Sequence, residues 1–563
     1  MRWLVLLACA LLFAASSPAR AEPFAALREA YAARDPAAAA AAYASDAQLR
    51  YARDGAPDEV YQGTAPIAAS FKALFDRFDP REKLDLNFRE TARVGNRTQG
   101  IYRLRVGRVR VGYGRYDVVI GPAGTFISDR SSPASVADFE EAAGATLFTA
   151  DDDVLDRGYY QQLAGRYRLP DGCLLIVTRS VVRLFVRNSC TASWRGLSRV
   201  SGRVWTSGAH VLSAEVWARY RFAPFTNGAC PALTIEEAGA TRTAIRIAGY
   251  RTQEVSFRSG DGTLLAGTLY TPRAGKHPRP ASVMLHGSGP QDRDGYASII
   301  AVLADQLAAS GRVVLAFDKR GAGASAGDGD RAGFDVLAAD AQAAMAYLAT
   351  RAEVDRRRIG LAGSSQAGWV AAKAIARGAA PADVLLLGAA GTALTVAEQN
   401  LYNTRVRLRC AGVGTADAQL ALDQQRAFFA YLRDPAQAPI LDALTARAAA
   451  RPVLRDWLFP DSRSIDRSAG AWYIALDPFF DPLPVWQRYR GRAVFLFGAL
   501  DDATPSALAA RRLRRHPARV AVLQGAQHLG LAARDLCTAD LPVLSRFVPE
   551  LMPAVTAFSA ASD

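Results

Sequence analysis

At 563 residues the chain is longer than one hydrophobic core can fill, so two or three domains are expected. The formal charge of +14 comes almost wholly from arginine, with only Lys72, Lys83, Lys276, Lys319 and Lys373 as lysines. No basic run is interleaved with aromatics, which argues against nucleic acid as a partner, and no Cys-x-x-Cys or clustered Cys/His spacing offers a metal site.

The chain opens with Arg2, an apolar run from Trp3 to Ala15, and an Ala19-Arg20-Ala21 end. That is the pattern of a secretory signal over residues 1–21, cleaved at about Ala21. The expected product is exported, periplasmic or extracellular, with no membrane span in the mature chain, since no later run approaches the ~20 apolar residues a spanning helix needs. Export permits disulfides. Cys173 and Cys190 flank an expected hairpin and are the first candidate pair; Cys410 with Cys537 is the second.

Residues 22–150 read as an α+β domain. Two short helices are expected between 24 and 45, broken at Asp35-Pro36, where Asp caps and Pro opens the second. Ile67, Phe71, Leu74, Phe75 and Phe78 after Gly63 give a third helix with one apolar face. Alternation from Leu84 to Ser128 gives antiparallel strands turning at 121–124. This order resembles the NTF2-like (SnoaL-like) fold, a cone that often encloses a pocket, and the resemblance implies a structural or ligand-holding role. A helical piece at Val136–Ala143 leads to residues 151–250, a small β-rich module with strands near Leu174–Val177, Val181–Val186 and Val211–Trp217. It resembles the small barrels attached to secreted bacterial serine hydrolases, and a spacer role is expected.

From residue 251 to the end, short continuous apolar runs at 282–285, 313–317, 359–362, 384–387, 494–497 and 520–523 alternate with helical spacing. Strands buried on both faces look like this, so a mostly parallel sheet covered by helices is expected. Gly363-Ser364-Ser365-Gln366-Ala367-Gly368 stands between one such strand and a helix, the setting of a nucleophile elbow. Ser365 is then the nucleophile, and Ser364 fills the variable slot of Gly-x-Ser-x-Ala as a turn residue. A serine needs a base. Of His210, His277, His286, His516 and His528, only His528 lies in a loop just past the last strand, while His516 reads as a helix-end residue and His286 as a structural one. The orienting acid belongs between serine and histidine, after the strand ending at Phe497, where Asp501 and Asp502 stand side by side. The oxyanion donors are expected to be the backbone N–H groups of Gln366 and Ser288, with Gly289 as the alternative to Ser288.

His286-Gly-Ser-Gly-Pro-Gln-Asp-Arg-Asp294, Asp318-Lys-Arg-Gly-Ala-Gly-Ala-Ser325 and the serine motif, with the later Asp and His, resemble bacterial α/β-hydrolase-fold esterases related to dienelactone hydrolases and S9-type acyl peptidases. The family spacing of Gly, two residues, Asp, two residues, Thr-Pro then selects Asp501. Ala367, where many relatives carry Gly, is the one departure. The resemblance implies a serine hydrolase acting on carboxylic esters through an acyl-enzyme, on a small-molecule ester or peptide, with no cofactor. A serine peptidase or amidase is the alternative, and a ligand-binding protein with a vestigial hydrolase the non-enzymatic one. The Gly-rich stretch lacks the Lys-Ser/Thr end of a nucleotide loop.

Between the strands ending at Leu387 and beginning at Val494 lie about a hundred residues, far above an ordinary connection. A helical cap is expected at about 392–490, with helices at 420–432 and 440–450. Phe428, Phe429, Tyr431, Trp457, Trp472, Tyr473 and Phe479 are available to line an acyl site or to pack the cap to itself. Arg511 to Arg515 reads as a solvated helix face.

Overall fold

The computed structural model describes residues 23–52, 58–76, 84–106, 109–134, 160–179, 184–201, 203–208, 216–275, 277–329, 332–457, 476–514, 516–538 and 546–560. The expected signal at 1–21, the helix at 136–143, His210, Trp472 and Tyr473 lie outside them. Two compact units result, one of residues 1–149 with 198–219, the other of 150–197 with 220–563.

In the first unit, helices Pro23–Ala33, Pro36–Ala41 and Thr64–Phe75 accompany a six-stranded sheet. Asp35 caps the second helix by accepting from the N–H groups of Ala37 and Ala38, with Pro36 opening it as expected. The sheet differs from the expected run of later strands only. Tyr43–Tyr51 is a strand as well, and it pairs parallel with Phe126–Ala134. Its first residues, 43–45, continue an alanine-rich run that reads as helix by propensity. What decides the outcome is tertiary: Tyr43, Ala47, Leu49 and Tyr51 bury themselves against Phe71 and Phe126, and such burial overrides a propensity of a few tenths of a kcal/mol. Within this core the Tyr43 hydroxyl donates to Asp129 at 2.6 Å, and burial pushes the Asp129 carboxyl up to about 6.

In the second unit, strands Gly165–Arg168, Leu174–Arg179, Leu184–Asn188, Ala232–Glu237 and Ala240–Ile247 belong to a closed eight-stranded barrel. A disulfide joins Cys173 and Cys190 across its hairpin. The chain then enters an eight-stranded sheet of β1 (Tyr250–Arg258), β2 (Leu264–Pro272), β3 (Arg279–Leu285), β4 (Val313–Phe317), β5 (Val354–Ser364), β6 (Asp383–Leu387), β7 (Arg492–Gly498) and β8 (Arg519–Leu523). Their order is β1-β2-β4-β3-β5-β6-β7-β8, with β2 antiparallel to both neighbours and the others from β3 onward parallel.

Every residue of β4 and β6 is buried, because helices cover both faces. On one side α1 (Ile299–Ala309) and α9 (Leu551–Ala560) pack Ile300, Leu303, Leu307, Val555 and Phe558 against the strands. On the other lie α2 (Phe334–Ala349) and α3 (Ala367–Ala376), with Phe334 and Trp369 stacked at 5.7 Å. This strand order with two helical layers is the α/β-hydrolase fold.

The long β6–β7 connection holds α4 (Val396–Cys410), α5 (Thr415–Arg433), α6 (Ala438–Ala449) and the short α7 (Leu483–Arg488). Phe428 and Phe429 are buried among Ala427, Leu441 and Phe479, so these rings pack the helices to one another rather than facing open space. After β7 comes α8 (Ser506–Arg512). Arg512 at its end is no free surface charge: it donates to Glu398 of α4 at 2.7 Å and to the Ala393 carbonyl at 2.9 Å. A second disulfide, Cys410 to Cys537, ties the end of α4 to the segment that follows His528. Cys230 is the free cysteine among the described residues, and it is buried.

Candidate active site

The turn from β5 into α3 is tight enough to force Ser365 to φ +56, a conformation disfavoured for a residue with a Cβ. Small neighbours are a steric requirement. A side chain at Gly363 would meet the Leu285 carbonyl oxygen at 2.3 Å and the Ala367 Cβ at 2.7 Å. Ala367 is itself fully buried, so the Gly-to-Ala departure is accommodated, whereas anything larger has no room. Ser364 is buried within β5, and Ser365 is half-buried at the strand's C-terminal edge. Its N–H donates to the Leu387 carbonyl at 2.9 Å, fixing the serine beside the end of β6.

Gly388, the next residue, lies directly against the histidine. A side chain there would approach the His528 carbonyl oxygen at 2.4 Å and its ring Nδ1 at 3.1 Å. The imidazole, the end of β6 and the serine elbow are therefore neighbours at the C-terminal ends of the central strands. His528 sits in a turn closed by Gln527 N–H to Leu531 O at 2.8 Å and Gly530 N–H to Gln527 O at 3.0 Å. Its Nδ1 lies 3.0 and 2.9 Å from the two carboxylate oxygens of Asp501.

Asp501 is fully buried and accepts two further backbone bonds at Oδ1, from Ala503 N–H at 2.8 Å and Thr504 N–H at 2.7 Å. The Thr504 hydroxyl reaches back to the Gly388 carbonyl at 2.9 Å, so the Thr of the Thr-Pro pair fastens the acid loop to the strand beneath the imidazole. Asp502 makes no comparable approach to the ring. It is half-buried rather than free in solvent, and burial pushes its carboxyl up, against the opposing charges of His528 and Arg407.

Helix α4 contributes a scaffold that motif spacing did not reveal. The Tyr402 hydroxyl donates to the Asp501 carbonyl at 2.8 Å, the Asn403 amide to the Asp502 carbonyl at 3.1 Å, and the Gln399 amide to the Ala503 carbonyl at 2.7 Å. Three side chains thus hold three consecutive carbonyls of the acid loop. The only sequence signal is a run of amide and phenol side chains on an unusually polar helix.

The loop after β3 runs against the serine: a side chain at Gly287 would come within 3.6 Å of the Ser365 Cβ. Ser288 follows Gly287 in this loop, and Gln366 follows Ser365 as the N-cap of α3. This loop is braced throughout. Asp318, fully buried, accepts from the Arg293 backbone N–H at 2.8 Å and its guanidinium at 2.9 and 2.7 Å. Arg179 of the barrel pairs with Asp294, and Gln291 donates to the Ser288 carbonyl at 2.6 Å. His286 is buried and held neutral, pushed down to about 3 by burial and by Lys319. His516 is buried with its Nε2 at the Trp486 carbonyl, so it takes no part in the site. Among the described residues no group of three or more His, Cys, Asp or Glu could hold a metal, and no helix is long and apolar enough to cross a membrane.

Burial alone lowers the pKa of His528, but the adjacent Asp501 charge and its hydrogen bond outweigh that and leave it above 6.5. A base must be unprotonated, so activity is expected to fall as pH drops through a value above 6.5. A kcat/KM profile should show that acid limb; a limb in the carboxylate range would contradict His528 as the base.

Residues 283–537 match the model of the Alpha/beta hydrolase family, in line with the fold of this part of the chain. No curated protein matches the chain in sequence. Among solved structures, a hypothetical protein from Pseudomonas aeruginosa is 17% identical over 56% of this chain and 95% of its own, with a TM-score of 0.36. Est1E from Butyrivibrio proteoclasticus, solved with ferulic acid bound, is 15% identical over 55% and 98%, TM-score 0.35. An acetyl xylan esterase from Paenibacillus is 18% identical over 61% and 88%, TM-score 0.34.

Proposed function

We propose that this hydrolase is an exported serine esterase working through an acyl-enzyme. The observation that carries the reading is the Asp501–His528 pair, with both carboxylate oxygens within 3.0 Å of Nδ1, at the same strand ends as the strained Ser365 elbow. With Nδ1 carrying the proton toward Asp501, Nε2 is left as the base. Ser365 Oγ attacks the acyl carbon and gives its proton to Nε2. The tetrahedral oxyanion is met by the N–H groups of Ser288 and Gln366. Nε2 then protonates the leaving alcohol, and water repeats the sequence to free the acid and regenerate Ser365.

The motifs also resemble S9-type peptidases, in which a β-propeller precedes the hydrolase. Here the described residues ahead of β1 form a mixed sheet with helices and a β-barrel, which favours the ester reading. The three helices and mixed sheet of the first unit support an NTF2-like assignment with a ligand-holding or structural role, and the α4–α7 region serves as the cap. Two disulfides and the signal-like start support export.

The test is covalent labelling by a fluorophosphonate probe, with peptide mapping and a panel of ester, thioester and aminoacyl substrates. The expected result is one adduct on Ser365 and turnover of esters. An unreactive protein would point instead to a ligand-binding role with a vestigial site.

A further inference from the structure

Lys319 follows β4 and is 7% exposed, yet among the described residues its hydrogen bonds all go to uncharged oxygens. Nζ donates to the Gly287 carbonyl at 3.1 Å, the Gly289 carbonyl at 3.0 Å and the Gln366 side-chain oxygen at 2.6 Å. Neighbouring charges are committed elsewhere. Asp318 is paired with Arg293, Asp340 with Arg320, and His286 is neutral. Burying an amine without a carboxylate is costly, and desolvation pushes this one down to about 7. An ammonium has three N–H donors, and all three are used.

The three acceptors are not scattered. The Gly287 carbonyl and the Ser288 N–H belong to one planar, trans peptide, in which they point in opposite directions. Drawing that carbonyl toward Nζ turns the Ser288 N–H the other way and polarises it as a donor. The Gly289 carbonyl belongs to the peptide of Pro290, which has no N–H, so that bond only anchors the loop. The third bond holds the side chain of Gln366, whose backbone N–H is the other oxyanion donor.

We propose that Lys319 is the positioning residue of the oxyanion hole, a single amine that locks the β3 loop and the serine elbow at one spacing. This rests on the serine-hydrolase reading above. Its effect is specific to the transition state, because the charge it organises donors for exists only there.

The experiment compares wild type with Lys319→Met on a chromogenic ester, together with inhibition by a boronic acid that forms a tetrahedral adduct on serine. The expected result is a kcat lower by roughly 10²-fold, with KM within about threefold and boronate affinity weakened in step with kcat. Near-UV circular dichroism reports whether the variant folds. Should it fail to fold, Gln366→Leu decides, since it removes one acceptor and keeps both backbone donors; about a 10-fold kcat loss with KM unchanged is expected. A folded variant with wild-type kcat, or a loss confined to KM, overturns the role of Lys319 and leaves the serine hydrolase standing. A wild type that neither labels with fluorophosphonate nor turns over ester overturns the underlying reading instead.

Discussion

Replacing Ser365 with alanine is expected to lower kcat by roughly 10⁶-fold and to abolish fluorophosphonate labelling. The covalent route needs an oxygen at this one point, where a φ of +56 lifts the side chain out of the β5–α3 turn. Alanine keeps the Cβ and therefore the backbone strain, so the fold should persist and the loss should be chemical. A residual rate of roughly 10³-fold over water would come from the oxyanion donors and substrate binding. Ser364→Ala is the control: that side chain is buried in β5 and should be dispensable. Active-site titration with mass mapping checks both, and an adduct on Ser364 would reassign the nucleophile.

Asp501→Asn is expected to lower kcat by roughly 10⁴-fold while preserving the structure. An asparagine oxygen can still accept from the Ala503 and Thr504 N–H groups, so the acid loop stays closed. Its NH₂ group would then face Nδ1 of His528. Two donors cannot share that contact, so the imidazole would move its proton to Nε2 and cease to be a base toward serine. Asp502→Asn should change kcat by less than about 10-fold, since Asp502 acts on His528 through charge alone. Removing that charge should shift the acid limb slightly downward. Kinetics in which Asp502→Asn is the crippled variant would transfer the orienting role to it.

The Asp501–His528 pair and the strained Ser365 turn were legible because each residue stands in a locally coded turn. Small residues around Ser365, a loop position after the last strand for His528 and a Thr-Pro pair after Asp501 are all short-range signals. The Thr-Pro spacing had a physical cause: the Thr504 hydroxyl anchors the acid loop to Gly388. What stayed hidden acts across long separations or through polar side chains. In α4 only Val396, Val406 and Leu408 are buried, so it has no apolar stripe to show a helix, and its bonds to the acid loop span about a hundred residues of chain. Lys319 sits inside the Gly-rich stretch from Asp318 to Ser325, but its acceptors are two backbone oxygens and an amide, none of which a side-chain pattern can display. The start of the strand at Tyr43–Tyr51 was hidden by the alanine run that precedes it, whose helical propensity gave way to aromatic packing.

Helix α4 also bears on how such a chain can diversify. Segments inserted between β6 and β7 are natural units for exchange when a new substrate range is sought, because they are contiguous in sequence and bounded by rigid strands. Here the first of those helices supplies the side chains of Gln399, Tyr402 and Asn403 to the acid loop, and its end is covalently joined to the stretch beyond His528. A graft replacing the whole insertion would therefore remove the side chains that hold the acid loop together with α5 and α6. The separable cassette begins after Cys410, and recombination that respects that junction can vary α5 and α6 while the aspartate and histidine keep their seats.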